Sequence, residues 1–181
     1  MNTEQCITSR RSIRKYKAEP VSYELLQELV ELSRFAPSWK NTQTPRYHII
    51  LKEDLKNRIA NDCVCGFQFN TKTLLTAPAI VVLSYVTKRC GYERDGSFST
   101  PKEDRWEMFD AGIAAQTFCL AAREKGLGTC IMGIFDETKI ADLLHLPEDQ
   151  KIGAVIALGY ADCDPEAPSR KSVDDLLTVY S

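Results

Sequence analysis

The sequence predicts one domain, residues 1–181, that combines α-helices with β-strands. A chain of 181 residues fits a single domain and buries about 70% of its unfolded surface. Apolar residues recur at helical spacing from Ser22 to Arg34, whereas 79–86 and 151–160 are apolar runs typical of strands. No internal repeat or low-complexity tract interrupts this pattern, so we expect one hydrophobic core and no domain boundary.

Two helices are predicted near the amino end. The first covers 2–9, with Asn2 as its cap and Gln5 in the capping-box position. The second follows Pro20, is capped by Ser22 and extends to about residue 34. The first helix leads directly into a cluster of arginines.

A loop separates these helices from the predicted strands. Residues 36–45 contain two prolines, many polar side chains and no apolar period, which is typical of a loop that carries function. The next predicted elements are a strand at 47–51, a helix at 53–61 and a strand at 79–86.

The longest helix is predicted from about Arg105 to Lys125, and Gly126 is placed to close it. Its centre, 111–115, is nearly all small residues, which suits either a buried core helix or a close subunit contact. The preceding segment, 88–104, is polar, contains glycine and is expected to be mobile.

The carboxyl-terminal third is predicted to hold three short elements and a tail. The elements are a strand at 128–132, a helix at 137–144 and a buried strand at 151–160. The tail, 161–181, has too little apolar sequence to fold alone, and we expect it to reach a neighbouring chain.

Composition narrows the function classes. The chain is 44% hydrophobic and 27% charged with a formal net charge of −2, which is typical of a globular protein and indicates no nucleic-acid partner. Positive charge is concentrated at 10–17, so the expected ligand is a small anion.

Seven irregularly spaced cysteines argue against a disulfide framework and for a cytoplasmic location. No metal site is expected, since Cys63 and Cys65 lack further ligands nearby. Neither a signal pattern nor an apolar run of roughly 18 residues is present, so no membrane contact is expected.

The arginine segment, residues 10–14, is the most informative feature. In an extended chain Arg10, Ser12 and Arg14 share one face over roughly 13 Å, which matches a phosphorylated ligand. Two guanidinium forks with a hydroxyl between them suit phosphate and sugar oxygens. The alternative is a solvated basic turn.

Other chemistry is not indicated by the sequence. His48 and His145 have no serine or cysteine partner at a recognisable spacing, so no hydrolytic triad is predicted. Ser12 to Lys15 matches S-x-x-K without its companion motifs, and 126–128 lacks the context of a dinucleotide fingerprint. A protein of this kind lets a cofactor carry the reaction.

Four segments together resemble the FMN-dependent nitroreductase family. They are Arg-Arg-Ser-Ile-Arg at 10–14, Ala-Pro-Ser-Trp-Lys-Asn-Thr-Gln at 36–43, the stretch 115–128 that ends in Lys-Gly-Leu-Gly, and Ile-Ala-Leu-Gly-Tyr-Ala at 156–161, followed by Arg170. The resemblance covers nearly the whole chain. It implies an α+β, three-layer fold with a mixed, mostly antiparallel central sheet surrounded by helices.

The family resemblance also implies an intertwined homodimer that holds FMN at its interface. Twelve FMN-contacting residues are carried over: Arg10, Arg11, Ser12, Arg14, Pro37, Ser38, Asn41, Gln43, Met132, Gly133, Arg170 and Lys171. Arg10 and Ser12 are expected at the phosphate and ribityl chain, with Arg170 and Lys171 closing on the phosphate. Arg14 is expected near the pyrimidine end, where it offers electrostatic support but no covalent role. Asn41 and Gln43 would bond the ring edge, and Met132 and Gly133 would lie on the N5 side.

The resemblance implies transfer of electrons from NADH or NADPH through flavin N5 to a small organic acceptor by ping-pong exchange. The acceptor would be a nitroaromatic, a quinone or a similar compound. Alternatives are reductive dehalogenation, flavin reduction, dehydrogenation of a peptide-linked ring, a non-enzymatic FMN carrier, and an anion- or nucleic-acid-binding module. Thr44-Pro45 replaces the Pro-Trp of many relatives, and segment 88–104 stands where a roofing insertion is common, so the acceptor is not transferable.

Overall fold

A four-stranded antiparallel sheet forms the centre of the molecule. The computed structural model describes residues 1–181 and contains β1 (Pro45–Ile50), β2 (Ala79–Val86), β3 (Gly128–Met132) and β4 (Gln150–Gly159), in the order β1-β2-β4-β3. The two interior strands are the two longest apolar runs. β1 begins two residues earlier than predicted because an edge strand tolerates the missing N–H of Pro45.

Six α-helices surround the sheet. They are α1 (Thr3–Ser9), α2 (Tyr23–Ser33), α3 (Glu53–Asp62), α4 (Gln68–Thr76), α5 (Arg105–Glu124) and α6 (Glu137–Leu144). The predicted caps are confirmed: Asn2 and Gln5 form a capping box, and the Ser22 hydroxyl accepts the N–H of Leu25. Gly126 follows α5 with a φ of +78°, in the left-handed region that glycine adopts freely.

Two apolar layers pack on opposite faces of the sheet, which confirms the three-layer α+β fold. Val81 and Leu83 of β2 face Phe118 of α5 and the side chains of α2. Ile80 and Val82 face the other layer, which α3, α4 and α6 form. Side chains alternate along a strand, so a strand between two helical layers is apolar at every position.

Helix α4 was not predicted from the sequence. Its threonines have low helix propensity, and only Thr73 and Leu74 are buried, so it has no clear apolar stripe. No helix of this chain combines the length and apolar character that crossing a membrane requires.

The segment 88–104 contains no helix or strand, but hydrogen bonds hold it together. Glu93 and Ser97 pair through their backbones at 2.8 Å, and the Ser99 hydroxyl donates to the Glu93 carboxylate at 2.6 Å. Trp106 anchors the segment to α5 through a 3.0 Å bond to the Thr100 hydroxyl. The segment is therefore held by its own internal contacts, and its mobility stays a prediction.

Candidate functional site

Backbone pairing fixes the arginine segment (10–14) against β3. The Ile13 N–H donates to the Thr129 carbonyl at 2.9 Å, and Ser12 forms a parallel bridge with Thr129. Ile13 is buried while Arg14 is exposed, as expected for an extended segment. The approach is close: a Cβ on Gly128 would lie 2.5 Å from Cγ1 of Ile13.

A basic cavity lies where the arginine segment meets the end of α5. Arg10, Arg11 and Arg123 line this cavity of about 310 Å³, together with Thr129 and Asp164. None of the three guanidinium groups has a carboxylate within 4.0 Å, although the Asp164 carboxylate belongs to the same lining, so the cavity has an excess of positive charge. Arg123 was not identified as a site residue from the sequence, because only the fold brings it near residue 10.

Strand β3 leads from this cavity to Met132 and Gly133. Burial raises the pKa of the Cys130 thiol, and the positive charges of Arg14 and Arg10 oppose that rise. Met132 is buried and Gly133 is exposed. The four residue steps from Thr129 to Gly133 span about 13 Å.

Helix α4 contacts the far end of this track. Its Asn70 amide donates to the Ile134 carbonyl at 3.1 Å, which places the first turn of α4 beside Gly133. Phe67, Phe69 and Ile134 are exposed there. The sequence did not identify this apolar patch because α4 itself was not predicted.

The amide loop, residues 37–43, presents Asn41 and Gln43 to the surface. Both side chains are exposed and make no hydrogen bond within the chain, so their donors and acceptors are free. Lys40, Asn41 and Gln43 have φ values of 45°, 55° and 49°, in the left-handed region. Each such residue costs roughly 1–3 kcal/mol, which the surrounding contacts must offset.

Those contacts come from α5 and from segment 88–104. The Trp39 N–H donates to the Asp110 carboxylate at 2.7 Å, and the Cys90 thiol donates to the same oxygen at 2.9 Å. Lys40 forms a 2.8 Å ion pair with Glu93, and hydrogen bonding to Lys40 lowers the pKa of the Glu93 carboxyl. Asp110, Cys90 and Glu93 were not identified from the sequence, since Asp110 and Glu93 bond to the loop across 71 and 53 positions and Cys90 bonds to Asp110.

The arginine segment and the amide loop lie at opposite ends of α5. Asp110 holds the amide loop near the start of this helix, and Arg123 donates to Ser9 at its end, at 3.0 Å. Thirteen residues separate Asp110 from Arg123, a distance of about 20 Å along the helix. A single chain therefore does not bring the two groups of predicted site residues together.

The tail does not complete the site within one chain either. Arg170 and Lys171 are exposed, and the one hydrogen bond of the Arg170 side chain goes to the carbonyl of Pro168. Val173, Leu176 and Tyr180 are also exposed. Nothing in the chain's own fold covers these apolar side chains.

His48 has a serine partner that the sequence spacing did not indicate. Its Nε2 lies 2.8 Å from the Ser84 hydroxyl, which itself donates to Gln150 at 2.7 Å. These residues stand on β1, β2 and β4, so strand pairing alone brings them together. Ser84 is completely buried, so this cluster is a cross-strand hydrogen-bond network without access for a substrate.

Comparison with known proteins assigns the chain to a family. The model of the Nitroreductase family matches residues 7–160. The chain is 28% identical to an oxygen-insensitive NADPH nitroreductase of Helicobacter acinonychis, over 97% of this chain and 95% of that protein. It is 26% identical to a 4-nitrobenzoate reductase of Pseudomonas putida, over 86% of this chain and 84% of that protein. The structure of an NADPH:FMN oxidoreductase from Vibrio harveyi complexed with NAD⁺ superimposes with a TM-score of 0.84 at 25% identity, covering 100% of this chain and 78% of that one.

Proposed function

The chain belongs to the nitroreductase family, and we propose that it is an FMN-dependent oxidoreductase that takes electrons from NADH or NADPH. The electrons would pass to a small organic acceptor, a nitroaromatic, a quinone or a similar compound, by ping-pong exchange. Two relatives support NADPH by name, as an NADPH nitroreductase and an NADPH:FMN oxidoreductase, and the structure of the second holds NAD⁺. The 4-nitrobenzoate reductase supports an aromatic acceptor.

The basic cavity suits the phosphate of FMN. Arg10, Arg11 and Arg123 line it without ion-pair partners, and three cations against the single carboxylate of Asp164 leave room for a phosphate anion. The Ser12 hydroxyl makes no hydrogen bond within the chain and is available to a ribityl oxygen. Arg170 and Lys171 of the tail would close on the phosphate from outside.

The other proposed contacts suit a flavin ring. FMN, when bound, supplies a ring that accepts a hydride at N5 and later releases the electrons to an acceptor. Asn41 and Gln43 each offer a donor and an acceptor to the ring edge, and Pro37 and Ser38 would support them. The backbone at Met132 and Gly133 would lie on the N5 side. Arg14 would favour the reduced ring by its positive charge.

The observation that carries the proposal is the position of these groups at opposite ends of α5. Two chains related by a two-fold axis, with their α5 helices packed antiparallel, would place the amide loop of one chain beside the arginine segment of its partner. Both sites would then form at once. We therefore propose a homodimer with FMN at the subunit interface.

The outer face of α5 supports this contact. Phe109 and Met108 are exposed, at 58% and 50%, on a helix whose other face is part of the core. Gly112 is exposed too, and a Cβ added there would meet nothing within 4 Å. Exposed apolar and small residues on one helix face are typical of a close interface. The apolar tail would cross onto the partner in the same assembly.

Seven free cysteines support a reducing compartment, and we propose the cytoplasm.

The test is the visible spectrum of the purified protein and its response to nicotinamide nucleotides. We expect a yellow protein that NADH or NADPH bleaches under anaerobic conditions and that sediments as a dimer. The double variant Arg10→Ala/Arg14→Ala should lose FMN and NAD(P)H oxidation together. A matched variant, Lys52→Ala/Arg58→Ala, removes the same charge from the α3 region and should retain both.

Three results would reject parts of the proposal. A wild-type protein that is colourless, refuses FMN in a titration and sediments as a single subunit rejects the function. Normal FMN binding by Arg10→Ala/Arg14→Ala rejects the site. An FMN-bound protein that neither nucleotide bleaches would be a carrier instead of an enzyme.

A further inference from the structure

We infer that Asp110 is a positioning residue for the flavin ring, because it fixes the amide loop through the backbone of Trp39. The inference rests on the proposed function and adds to it a residue of α5 that lies outside the loop. Asp110 would not touch the ring. Its role would be to set the direction in which Asn41 and Gln43 point.

The bonds of Asp110 link three segments of the chain. One of its oxygens accepts the Trp39 N–H at 2.7 Å and the Cys90 thiol at 2.9 Å. Asp110 is only 3% exposed, Cys90 is fully enclosed, and no cation lies within 4.0 Å of the carboxylate. A buried carboxylate without a cation depends on its hydrogen-bond donors, so the contact with Trp39 is a strong constraint on both partners.

The amide loop is built on the residues that Asp110 holds. The Asn41 N–H donates to the Ser38 carbonyl at 3.0 Å, and the Thr42 N–H donates to the Trp39 carbonyl at 2.8 Å. The Gln43 N–H donates to the Ser38 hydroxyl at 2.9 Å. Ser38 and Trp39 thus provide the acceptor of every hydrogen bond inside the loop, and these bonds hold the left-handed residues in place.

The second anchor of the loop is weaker. The Lys40 and Glu93 side chains pair at 2.8 Å but are about half exposed, and exposed ion pairs contribute little to stability. Cys90 and Glu93 both belong to segment 88–104, so this segment meets the amide loop directly at Lys40 and through Asp110 at Trp39. Loss of the Asp110 carboxylate should release the loop and leave the arginine segment unchanged.

The experiment compares Asp110→Ala, Asp110→Asn and Glu107→Ala. The alanine variant loses the acceptor of the Trp39 N–H, whereas an asparagine oxygen can still accept both donors. Glu107 is the matched control: it lies on the same helix, is 4% exposed and accepts the Lys88 N–H at 2.6 Å, but does not contact the loop. The readouts are the FMN dissociation constant and hydrogen exchange of residues 38–43 in FMN-free protein.

We expect Asp110→Ala to weaken FMN binding by about tenfold or more and to speed exchange in the loop, as loss of a buried hydrogen bond does. Asp110→Asn should restore most of both properties, and Glu107→Ala should keep them. Wild-type affinity in Asp110→Ala overturns the inference. So does an equal loss in Asp110→Asn or in Glu107→Ala.

Two further arms keep the test decisive. If Asp110→Ala does not fold, the variants Trp39→Pro and Trp39→Ala replace it. Both lose the indole ring, but only proline also lacks the backbone N–H that donates to Asp110. Proline fits at this position because Ser38, the residue before it, has an extended backbone. Both variants lose the contact of the Trp39 ring with Trp106, so the comparison is between them. Exchange should be faster in Trp39→Pro than in Trp39→Ala, and equal exchange in the two overturns the inference. If wild-type protein does not bind FMN, the proposed function fails on its own, and normal exchange in Asp110→Ala would still reject control of the loop by Asp110.

Discussion

The arginine segment and the amide loop show two ways of placing polar groups at a site. The arginine segment is paired to β3 through its backbone and fixed by the buried side chain of Ile13. The amide loop has no strand partner, contains three left-handed residues and depends on side chains of distant segments. The first arrangement is rigid because neighbouring strands hold it. The second remains adjustable because a few side-chain contacts define it.

The largest effect is expected from closing the space beside the arginine segment. In Gly128→Ala the new methyl group would lie 2.5 Å from Cγ1 of Ile13, and such overpacking costs about 1–3 kcal/mol of unfolding free energy. Urea unfolding measures this cost. Adding Ile13→Ala should remove part of it, so strictly additive effects in the double variant would contradict the proposed contact.

In the amide loop, Ser38→Ala should cost about 1 kcal/mol, because the Gln43 N–H loses its 2.9 Å acceptor. Urea unfolding of FMN-free protein measures the cost. Hydrogen exchange should rise in the loop while the Ile13 amide, paired with Thr129, stays protected. A rise at both places would show that the two regions are not independent.

Gln43→Gly should separate stability from binding. Glycine adopts the φ of 49° without strain, so FMN-free protein should gain about 0.5 kcal/mol after the greater chain entropy of glycine is deducted. FMN affinity should fall because the amide is lost. Gln43→Ala loses the same amide without the relief of strain, so it should bind FMN equally weakly and show no gain in stability.

Acidification should loosen the amide loop by a small amount. The bond to Lys40, with further help from Ser99, lowers the pKa of the Glu93 carboxyl below its ordinary value of 4.5. The folded state thus binds this proton less readily than the unfolded state, and the stabilisation is full above 4.5 and is lost as pH falls through the folded pKa.

Hydrogen exchange of residues 38–43, compared between wild type and Glu93→Gln at each pH, measures this effect. The difference between the two proteins should shrink as pH falls below 4.5. A difference that persists unchanged would exclude the Lys40 and Glu93 pair as an anchor. The arginine segment should show no such dependence.

The contrast between the two regions also explains what the sequence could predict. Strands β2 and β3 and helix α6 lie where local patterns placed them, since apolar runs, caps and glycines are local signals. The family membership followed from four short motifs in order. Helix α4 was missed because its pattern is weak, and the twelve predicted FMN contacts stay predictions.

Contacts between residues far apart in the chain could not be predicted from the sequence. Asp110 lies in a helix whose small residues indicated a core helix or a subunit contact, and Arg123 is an ordinary basic residue near a helix end. Their roles depend on where α5 meets the amide loop and α1, which no spacing along the chain reveals. The same applies to Ser84, whose neighbour His48 comes from another strand.

The length of helix α5 sets the distance between the amide loop and the arginine segment. A four-residue insertion in its middle would push its two ends about 6 Å further apart and turn one against the other, so the paired chains would no longer match at either contact. Segment 88–104 contains no helix or strand that would fix its length in this way. Evolution of new acceptor preferences in this architecture should therefore leave α5 at constant length and vary the polar segment before it.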